Sequence, residues 1–155
     1  MSVEKGQPAP PVQLHNDEMQ AFDLADYKGK QNVLLLFYPG AFTSVCTNEL
    51  NMINNDLESY PDTQVVGIST DSPFVLAEFK KANGLTFPLL SDHNAEVSAA
   101  YGAKYDNDFT PMGLDRISKR SAIVVDKDGN IAHAEILENA GEMPDFDAVK
   151  SALGA

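Results

Sequence analysis

The chain has 155 residues, and 43% of them are hydrophobic, which is enough to fill the core of one ordinary domain. Its 23 acidic and 11 basic residues give a formal net charge of −12 at pH 7, which argues against nucleic acid or an anionic membrane as the partner. No apolar run has membrane-spanning length and residues 1–5 do not begin a secretory signal, so we expect a cytoplasmic protein. The single cysteine, Cys46, permits no internal disulfide and fits a reducing compartment.

The first forty residues predict a β-hairpin and a buried strand. Three prolines give residues 1–11 an extended conformation, and residues 12–14 and 19–22 flank a polar turn, as the two strands of a hairpin do. Residues 33–37 are continuously apolar, which is typical of a strand covered by helices on both faces. A Pro-Gly pair at residues 39–40 then ends this strand.

A helix is predicted directly after this break. Thr43 or Ser44 supplies a side-chain oxygen that can cap its first turn. Apolar residues at helical spacing, Met52 among them, predict a buried face. The proline and its polar neighbours at residues 60–62 should end the helix.

The middle of the chain predicts a second strand and two more helices. Residues 65–68 form a short apolar run, and the next helix should begin at Ser72 and stop at Gly84. After a brief extended segment, Ser91 or Asp92 should cap a third helix.

The last third predicts a loop, a hairpin and a helix. Residues 103–119 are polar and irregular, and a loop of that length in a compact domain is usually functional or mobile. Residues 121–125 and 131–135 predict two strands around a Gly-containing turn, and a final helix should begin at residues 144–145. This order of elements predicts an α/β, thioredoxin-like fold: a central mixed β-sheet flanked by helices, with an N-terminal β-hairpin, in a single domain over residues 1–155.

The position of Cys46 predicts a reactive thiol. The residue lies in the first turn of a helix, just past the carboxyl end of the buried strand at residues 33–37. Free backbone N–H groups and the positive end of the helix dipole favour an anion at such a position, and a thiolate is an anion. The alternative reading of a lone cysteine is an inert one that packs as a small hydrophobic residue.

The residues around Cys46 form a recognisable motif. Pro39, Thr43 and Cys46 make the pattern P-x-x-x-T-x-x-C, and Glu49 follows three residues later. This pattern resembles the active-site motif of the peroxiredoxins. Further matches extend over nearly the whole chain: F-P-L-L-S-D at residues 87–92, Y-G at residues 101–102, and Arg120 before a strand and an Asp-x-x-Gly turn. The chain is most similar to the compact one-cysteine group, of the alkyl hydroperoxide reductase E type.

The resemblance implies a thiol-dependent peroxidase that reduces hydrogen peroxide, alkyl hydroperoxides or peroxynitrite through a cysteine sulfenic acid. It implies that Cys46 is the nucleophile and that the Thr43 hydroxyl hydrogen-bonds the thiolate and the peroxide. It also implies that Arg120 stabilises the thiolate and the leaving oxygen, that Pro39 shields the sulfur from water, and that Glu49 orients Arg120. No cofactor and no metal are implied.

Recycling and assembly follow from the same resemblance. Because the chain has no second cysteine, an external thiol must reduce the sulfenic acid, and thioredoxin, glutaredoxin or a low-molecular-weight thiol would serve. Short members of the family are dimeric, so we expect a homodimer with Phe42, Phe74 and Ile117 at its interface.

Two other functions stay open at this point. A redox sensor or binding module on the same fold would oxidise at Cys46 without turnover. A thiol hydrolase or transferase would need a histidine base near Cys46, which His93 or His133 would have to supply through the fold. The three histidines, His15 included, are dispersed and form no ligand pattern, so we expect no metal site.

Overall fold

The computed structural model describes residues 2–154, which form a mixed β-sheet and four α-helices. The strands are β1 (Gln13–Asn16), β2 (Ala21–Asp23), β3 (Asn32–Phe37), β4 (Thr63–Ser69), β5 (Leu89–Ser91), β6 (Ser121–Val125) and β7 (Ile131–Ile136). The helices are α1 (Ser44–Asn54), α2 (Pro73–Asn83), α3 (Glu96–Ala100) and α4 (Phe146–Ala152). Within residues 2–154, none of the helices has the length and apolar character needed to cross a membrane.

The seven strands lie in the order β2-β1-β5-β4-β3-β6-β7. Strand β3 is parallel to β4 and antiparallel to β6, and β4 is parallel to β5. The hairpins β1–β2 and β6–β7 form the two edges of the sheet. The predicted fold class is therefore confirmed, including the central mixed sheet and the N-terminal hairpin.

Strand β3 is buried on both faces, as its unbroken apolar run predicts. Residues 33–37 are at most 1% exposed. Their side chains alternate between the faces of the sheet. Leu34 and Leu36 pack in the core that includes Leu50 of α1 and Leu76 of α2, whereas Leu35 and Phe37 pack in the core on the other face. Two hydrophobic cores thus fix the end of β3, from which the chain enters α1.

Helix α1 is shorter than predicted. It ends at Asn54 and a separate 3-10 helix, Leu57–Ser59, precedes the proline at which the sequence pattern placed the end. Asn and Asp residues favour turns over helix interiors. The Asn54 side chain also binds the segment after α2: it donates to Gly84 O at 3.1 Å and accepts from the Thr86 N–H at 2.9 Å. Met52 is 44% exposed and does not belong to the buried face of α1.

Helix α2 begins and ends as predicted. The Ser72 hydroxyl accepts a hydrogen bond from the Val75 N–H, with Pro73 in the first turn. Gly84 ends the helix in a left-handed conformation at φ 63°, which glycine adopts without a steric cost.

Of the two predicted caps of the third helix, Asp92 is confirmed by its hydrogen bonds and Ser91 is wrong. Ser91 belongs to β5, and α3 begins only at Glu96, after Ala95 at φ 59°. The Asp92 carboxylate nevertheless accepts hydrogen bonds from the Val97 and Ser98 N–H groups, at 3.2 and 2.6 Å. Asp92 therefore satisfies the free amides of α3 across an intervening turn, which a pattern of adjacent residues does not reveal.

The segment 103–119 is irregular, as predicted, but it is folded back on itself. Isolated bridges join Lys104 to Ser118 and Phe109 to Leu114. The Tyr105 and Phe109 rings pack in a tilted arrangement, with an interplanar angle of 44° and centroids 4.8 Å apart. The segment returns the chain to Arg120 at the start of β6.

Candidate active site

The connection from β3 to α1 carries the chain from the sheet to Cys46. The Pro-Gly pair at residues 39–40 follows the strand, and Phe42 then adopts φ 66°. Such a conformation costs a bulky residue on the order of 1–3 kcal/mol and persists mainly at functional sites. Helix α1 begins at Ser44, so Cys46 lies in its first turn, as predicted.

Cys46 is a free thiol and only 1% exposed. The first backbone hydrogen bond of α1 runs from the Thr47 N–H to Thr43 O at 2.9 Å. The N–H groups of residues 44–46 therefore precede the first intrahelical hydrogen bond and form the positive end of the helix dipole. These groups favour negative charge on the Cys46 sulfur.

The register of the sheet brings Arg120 to this helix start. In the antiparallel pair β3–β6, Phe37 lies opposite Ser121, so Arg120 lies at the end of β3 from which the chain enters α1. Its Nη2 donates to Cys46 Sγ at 3.2 Å and to Ala140 O at 3.0 Å. A guanidinium 74 residues away in sequence thus contacts the thiol directly.

Glu49 holds the other side of this guanidinium. It lies three residues after Cys46, on the same face of α1, and its Oε1 accepts from Arg120 Nη1 at 2.6 Å. The Arg120 and Glu49 side chains are 1% and 0% exposed. Buried ion pairs of this kind hold a definite geometry, because removal of either partner leaves an uncompensated charge.

Burial and neighbouring charges shift the pKa values of Glu49 and Arg120. Burial raises the pKa of the Glu49 carboxyl to about 7, although the charge and hydrogen bond of Arg120 act in the opposite direction. Burial alone disfavours the Arg120 cation, but the charges of Glu49 and Cys46 outweigh it and raise the pKa of the guanidinium above its usual value. Arg120 therefore carries a positive charge beside the sulfur at any physiological pH.

A cavity of about 250 Å³ opens beside the sulfur. The residues that line it are Pro39, Thr43, Ser44, Val45, Cys46, Phe109, Arg120, Ala140 and Gly141. Four of the five site residues named by the sequence pattern share this cavity, and Glu49 bonds Arg120 from outside the lining. The space is large enough for a peroxide group with a small substituent.

Thr43 differs from expectation in its hydrogen bonding. It occupies the N-cap position of α1, but its side chain makes no cap hydrogen bond. Its hydroxyl donates instead to Gly40 O at 2.8 Å. A hydroxyl has a single proton, so in this arrangement Thr43 can accept a hydrogen bond but cannot donate one to the sulfur.

Asp71 is a positioning residue that the sequence pattern did not identify. Its Oδ2 accepts from the Ala41 N–H at 2.8 Å and from Ser69 Oγ at 2.7 Å, which ties the loop before α1 to the end of β4. The pattern around Asp71 predicted only a helix start, because its partner lies 30 residues away. Phe109 and Ala140, which also contact the site, come from irregular segments that carry no motif.

We predict that Asp71→Ala destabilises the loop between β3 and α1. The substitution leaves the partly buried Ala41 N–H without its acceptor, which typically costs about 1–3 kcal/mol. Chemical denaturation should show this loss in the free energy of unfolding, and hydrogen exchange at Ala41 should accelerate. The exposed Asp128→Ala is the matched control. Equal losses of stability in the two variants would contradict the role of Asp71 in holding this loop.

The histidines do not meet the requirement of a thiol hydrolase. The described residues that line the Cys46 cavity include no histidine. His93 lines a different cavity with Asp92 and Glu96, and its Nδ1 lies 3.2 Å from Thr70 O. Among residues 2–154, no group of three His, Cys, Asp or Glu side chains is arranged to hold a metal ion.

A thiol in contact with a guanidinium, at a helix start on a thioredoxin-like sheet, defines a class of cysteine-based oxidoreductases. The model of the AhpC/TSA family matches residues 5–134. Alkyl hydroperoxide reductase E of Mycobacterium tuberculosis is 36% identical over 155 residues, covering 97% of this chain and 95% of the relative. Peroxiredoxin Bcp of Bacillus subtilis is 34% identical over 136 residues, covering 84% and 83% of the two chains. The crystal structure of peroxidoxin BcpB from Mycobacterium tuberculosis superposes with a TM-score of 0.85 at 25% identity, covering 98% of this chain and 97% of that one.

The chain belongs to the AhpC/TSA family. It is a thiol peroxidase of the peroxiredoxin class, as the motif around Cys46 predicts. Its single cysteine is consistent with the one-cysteine type. The redox sensor without turnover is not favoured by these relatives.

Proposed function

We propose that Cys46 attacks the peroxide and that Arg120, Thr43, Pro39 and Glu49 support it. The observation that carries this proposal is the hydrogen bond from Arg120 Nη2 to Cys46 Sγ, at 3.2 Å beside an open cavity. A peroxidatic thiol needs an ionised sulfur, access for the substrate, and donors for the charge that develops during attack. The helix start, the cavity and the guanidinium correspond to these three needs.

The reaction is a nucleophilic displacement at oxygen. A lone pair of the Cys46 thiolate attacks the terminal oxygen of the hydroperoxide, the S–O bond forms and the O–O bond breaks. The leaving alkoxide or hydroxide takes up a proton to become an alcohol or water, while the sulfur is oxidised to a sulfenic acid. Negative charge spreads along S–O–O in the transition state, and Arg120 stabilises it most when this charge is largest.

Pro39 and Glu49 act without touching the transferred atoms. Pro39 lines the cavity with an apolar ring that has no N–H, so it limits water beside the sulfur. Glu49 fixes the direction of the guanidinium through its 2.6 Å bond to Nη1, which leaves Nη2 directed at the sulfur. Both are positioning residues in this proposal.

Thr43 is proposed to accept a hydrogen bond from the substrate. Since its own proton goes to Gly40 O, its free lone pair suits the O–H of the incoming hydroperoxide. We predict that Thr43→Val lowers kcat/KM by about tenfold or less, the worth of one neutral hydrogen bond. Stopped-flow oxidation measures this, and Thr43→Ser, which keeps the hydroxyl, should retain most of the rate; equal losses in Val and Ser would contradict the acceptor role.

An external thiol is proposed to return Cys46 to its reduced form. The sulfenic sulfur can form no internal disulfide because the chain has no second cysteine. Thioredoxin, glutaredoxin or a low-molecular-weight thiol would attack it and release water, and a second thiol would then reduce the mixed disulfide. Steady-state peroxide consumption with each reductant in turn tests this step, and one turnover per cysteine with every reductant would favour a sensor instead.

The reducing cytoplasm is the compartment proposed for this cycle. A free thiol and a thiol reductant both need a reducing environment. We also propose that residues 1–155 act as one domain, which the single seven-stranded sheet supports.

A homodimer is proposed, with Phe42, Phe74 and Ile117 at its interface. Phe42, in the loop before α1, is 57% exposed, and Phe74, in the first turn of α2, is 71% exposed. Such exposure is unusual for a phenylalanine side chain. We predict that Phe74→Glu converts a dimer to a monomer in sedimentation velocity, because it buries a charge in the interface. Met19→Glu, at a similarly exposed apolar position, should leave the mass unchanged; a parent protein that sediments as a monomer would contradict the dimer.

A further inference from the structure

Cys46, Glu49 and Arg120 form a cluster of two acids and one base in the protein interior. The exposed fractions of the three residues are 1%, 0% and 1%. Both acids contact the same guanidinium, Glu49 at Nη1 and Cys46 at Nη2. Since they lie three residues apart on α1, they are also neighbours on one face of the helix.

The surroundings of the cluster supply no second positive charge among the described contacts. The charges of the cluster act on Tyr38, Tyr60 and Tyr105 in three different segments. Burial raises the pKa of each phenol, to about 12 for Tyr60, so all three stay neutral. The charged groups that act on these tyrosines, besides the cluster itself, are acidic: Asp56, Asp71, Asp108, Glu138 and Asp147. The nearby lysines are already paired, Lys119 with Glu138 and Lys150 with Asp56.

One guanidinium compensates one buried anion, not two. A second anion in a dry interior without its own cation is strongly disfavoured, and like charges at neighbouring positions disfavour it further. Glu49 Oε2 is buried and has no hydrogen-bond partner within residues 2–154, so nothing on that side stabilises a full carboxylate charge. The raised pKa of Glu49, about 7, agrees with a carboxyl that carries a proton near neutral pH.

We propose that Cys46 and Glu49 hold a single proton between them in the reduced enzyme, so that ionisation of the thiol is accompanied by protonation of the carboxyl. This inference rests on the proposed role of Cys46 as a thiolate. Each of the two groups then carries the proton only while the other is ionised. The net charge of the three side chains stays at zero through the working pH range.

The shared proton also balances the reaction. When the thiolate attacks, the sulfur becomes a neutral sulfenic acid and the alkoxide leaves with the negative charge. Arg120 is then free to compensate Glu49, so the carboxyl releases its proton to solvent while the alkoxide takes one up. The sum is thiolate, carboxylic acid and hydroperoxide giving sulfenic acid, carboxylate and alcohol, with no net proton drawn from bulk water.

A proton count during alkylation tests this proposal without peroxide. Iodoacetamide is uncharged and converts the Cys46 thiolate to a neutral thioether: the S–C bond forms, the C–I bond breaks and iodide leaves. An indicator dye in weakly buffered solution near pH 7 counts the protons released per alkylated cysteine. The ultraviolet absorbance of the thiolate gives the ionised fraction before alkylation.

If Cys46 ionises independently of Glu49, released protons and the initial thiolate fraction add up to one per cysteine. With a shared proton we expect a sum above one, because Glu49 releases its proton as the sulfur becomes neutral; the excess should equal the thiolate fraction. In Glu49→Gln, which keeps an acceptor for Arg120 but has no acidic proton, the sum should return to one. The exposed Glu58→Gln makes the same exchange on the surface of the protein and should behave as the parent.

A sum of one in the parent protein would overturn the proposal, and this measurement needs no variant to fold. An excess that persists unchanged in a folded Glu49→Gln would also overturn it, since the proton would come from elsewhere. A sum of one in a protein that turns over peroxide would reject the shared proton and leave the proposed function intact. A sum above one in a protein that fails to turn over peroxide would support the shared proton and reject the proposed function.

Discussion

Cys46→Ser should reduce peroxide no faster than buffer, a loss of at least about a thousandfold in kcat/KM. Serine keeps the size of the side chain and its place in the first turn of α1, but its hydroxyl does not ionise near neutral pH and is a far weaker nucleophile than a thiolate. Competition or stopped-flow kinetics with hydrogen peroxide and an alkyl hydroperoxide measure the effect.

Asn48→Ala is the matched control for this variant. Asn48 is exposed on the same helix, two residues away, and does not line the cavity, so its rate should equal that of the parent. Peroxide consumption by Cys46→Ser at the parental rate would remove Cys46 from the reaction. Circular dichroism should show that both variants keep their helices.

Arg120→Met should slow oxidation of Cys46 by on the order of a hundredfold, the usual effect of losing one preorganised donor to a developing charge. The thiolate fraction at neutral pH should fall as well, because the variant removes the cation that lies 3.2 Å from the sulfur. The ultraviolet absorbance of the thiolate and the rate of alkylation report this change without peroxide.

Folding must be separated from chemistry in this variant, since Arg120→Met leaves Glu49 buried without its partner. Breaking a buried pair on one side typically costs about 3–5 kcal/mol. The double variant Arg120→Met with Glu49→Gln removes both charges and should recover part of this stability but none of the rate. Arg120→Lys keeps the charge but cannot bridge Cys46, Glu49 and Ala140 together, so an intermediate rate is expected. Oxidation of a folded Arg120→Met at the parental rate would contradict the assignment.

Local signals in the sequence were sufficient to predict where Cys46 lies. The apolar run at residues 33–37, the Pro-Gly break and the capping residues all act within about fifteen positions, and each depends on short-range physics. The same holds for the Ser72 cap and the Gly84 stop of α2, which the structure confirms. Arg120 is different, because only the resemblance to a family linked it to Cys46. The contact itself depends on the pairing of β6 with β3 in a register that no local pattern specifies.

The features that were missed depend on contacts between distant segments. Asp71 has the composition of a helix start, and its bond to Ala41 exists only because β4 lies beside β3. The Asp92 cap of α3 was predicted, but the turn between Asp92 and the helix was not, because it holds Ala95 in a left-handed conformation that its residue type does not favour. The Thr43 hydroxyl turns to Gly40 O in a loop whose shape includes Phe42 at φ 66°. Side-chain orientation at this level follows from the folded loop and not from residue type.

Mass spectrometry of Cys46 after graded doses of peroxide, with and without an added thiol, tests the central claim most directly. We expect one added oxygen at Cys46 at low dose, a second at high dose when no thiol is present, and a return to the free thiol over many turnovers when a suitable thiol is present. Consumption of peroxide while Cys46 stays unmodified, with no oxygen or thiol adduct at any dose, would contradict the account.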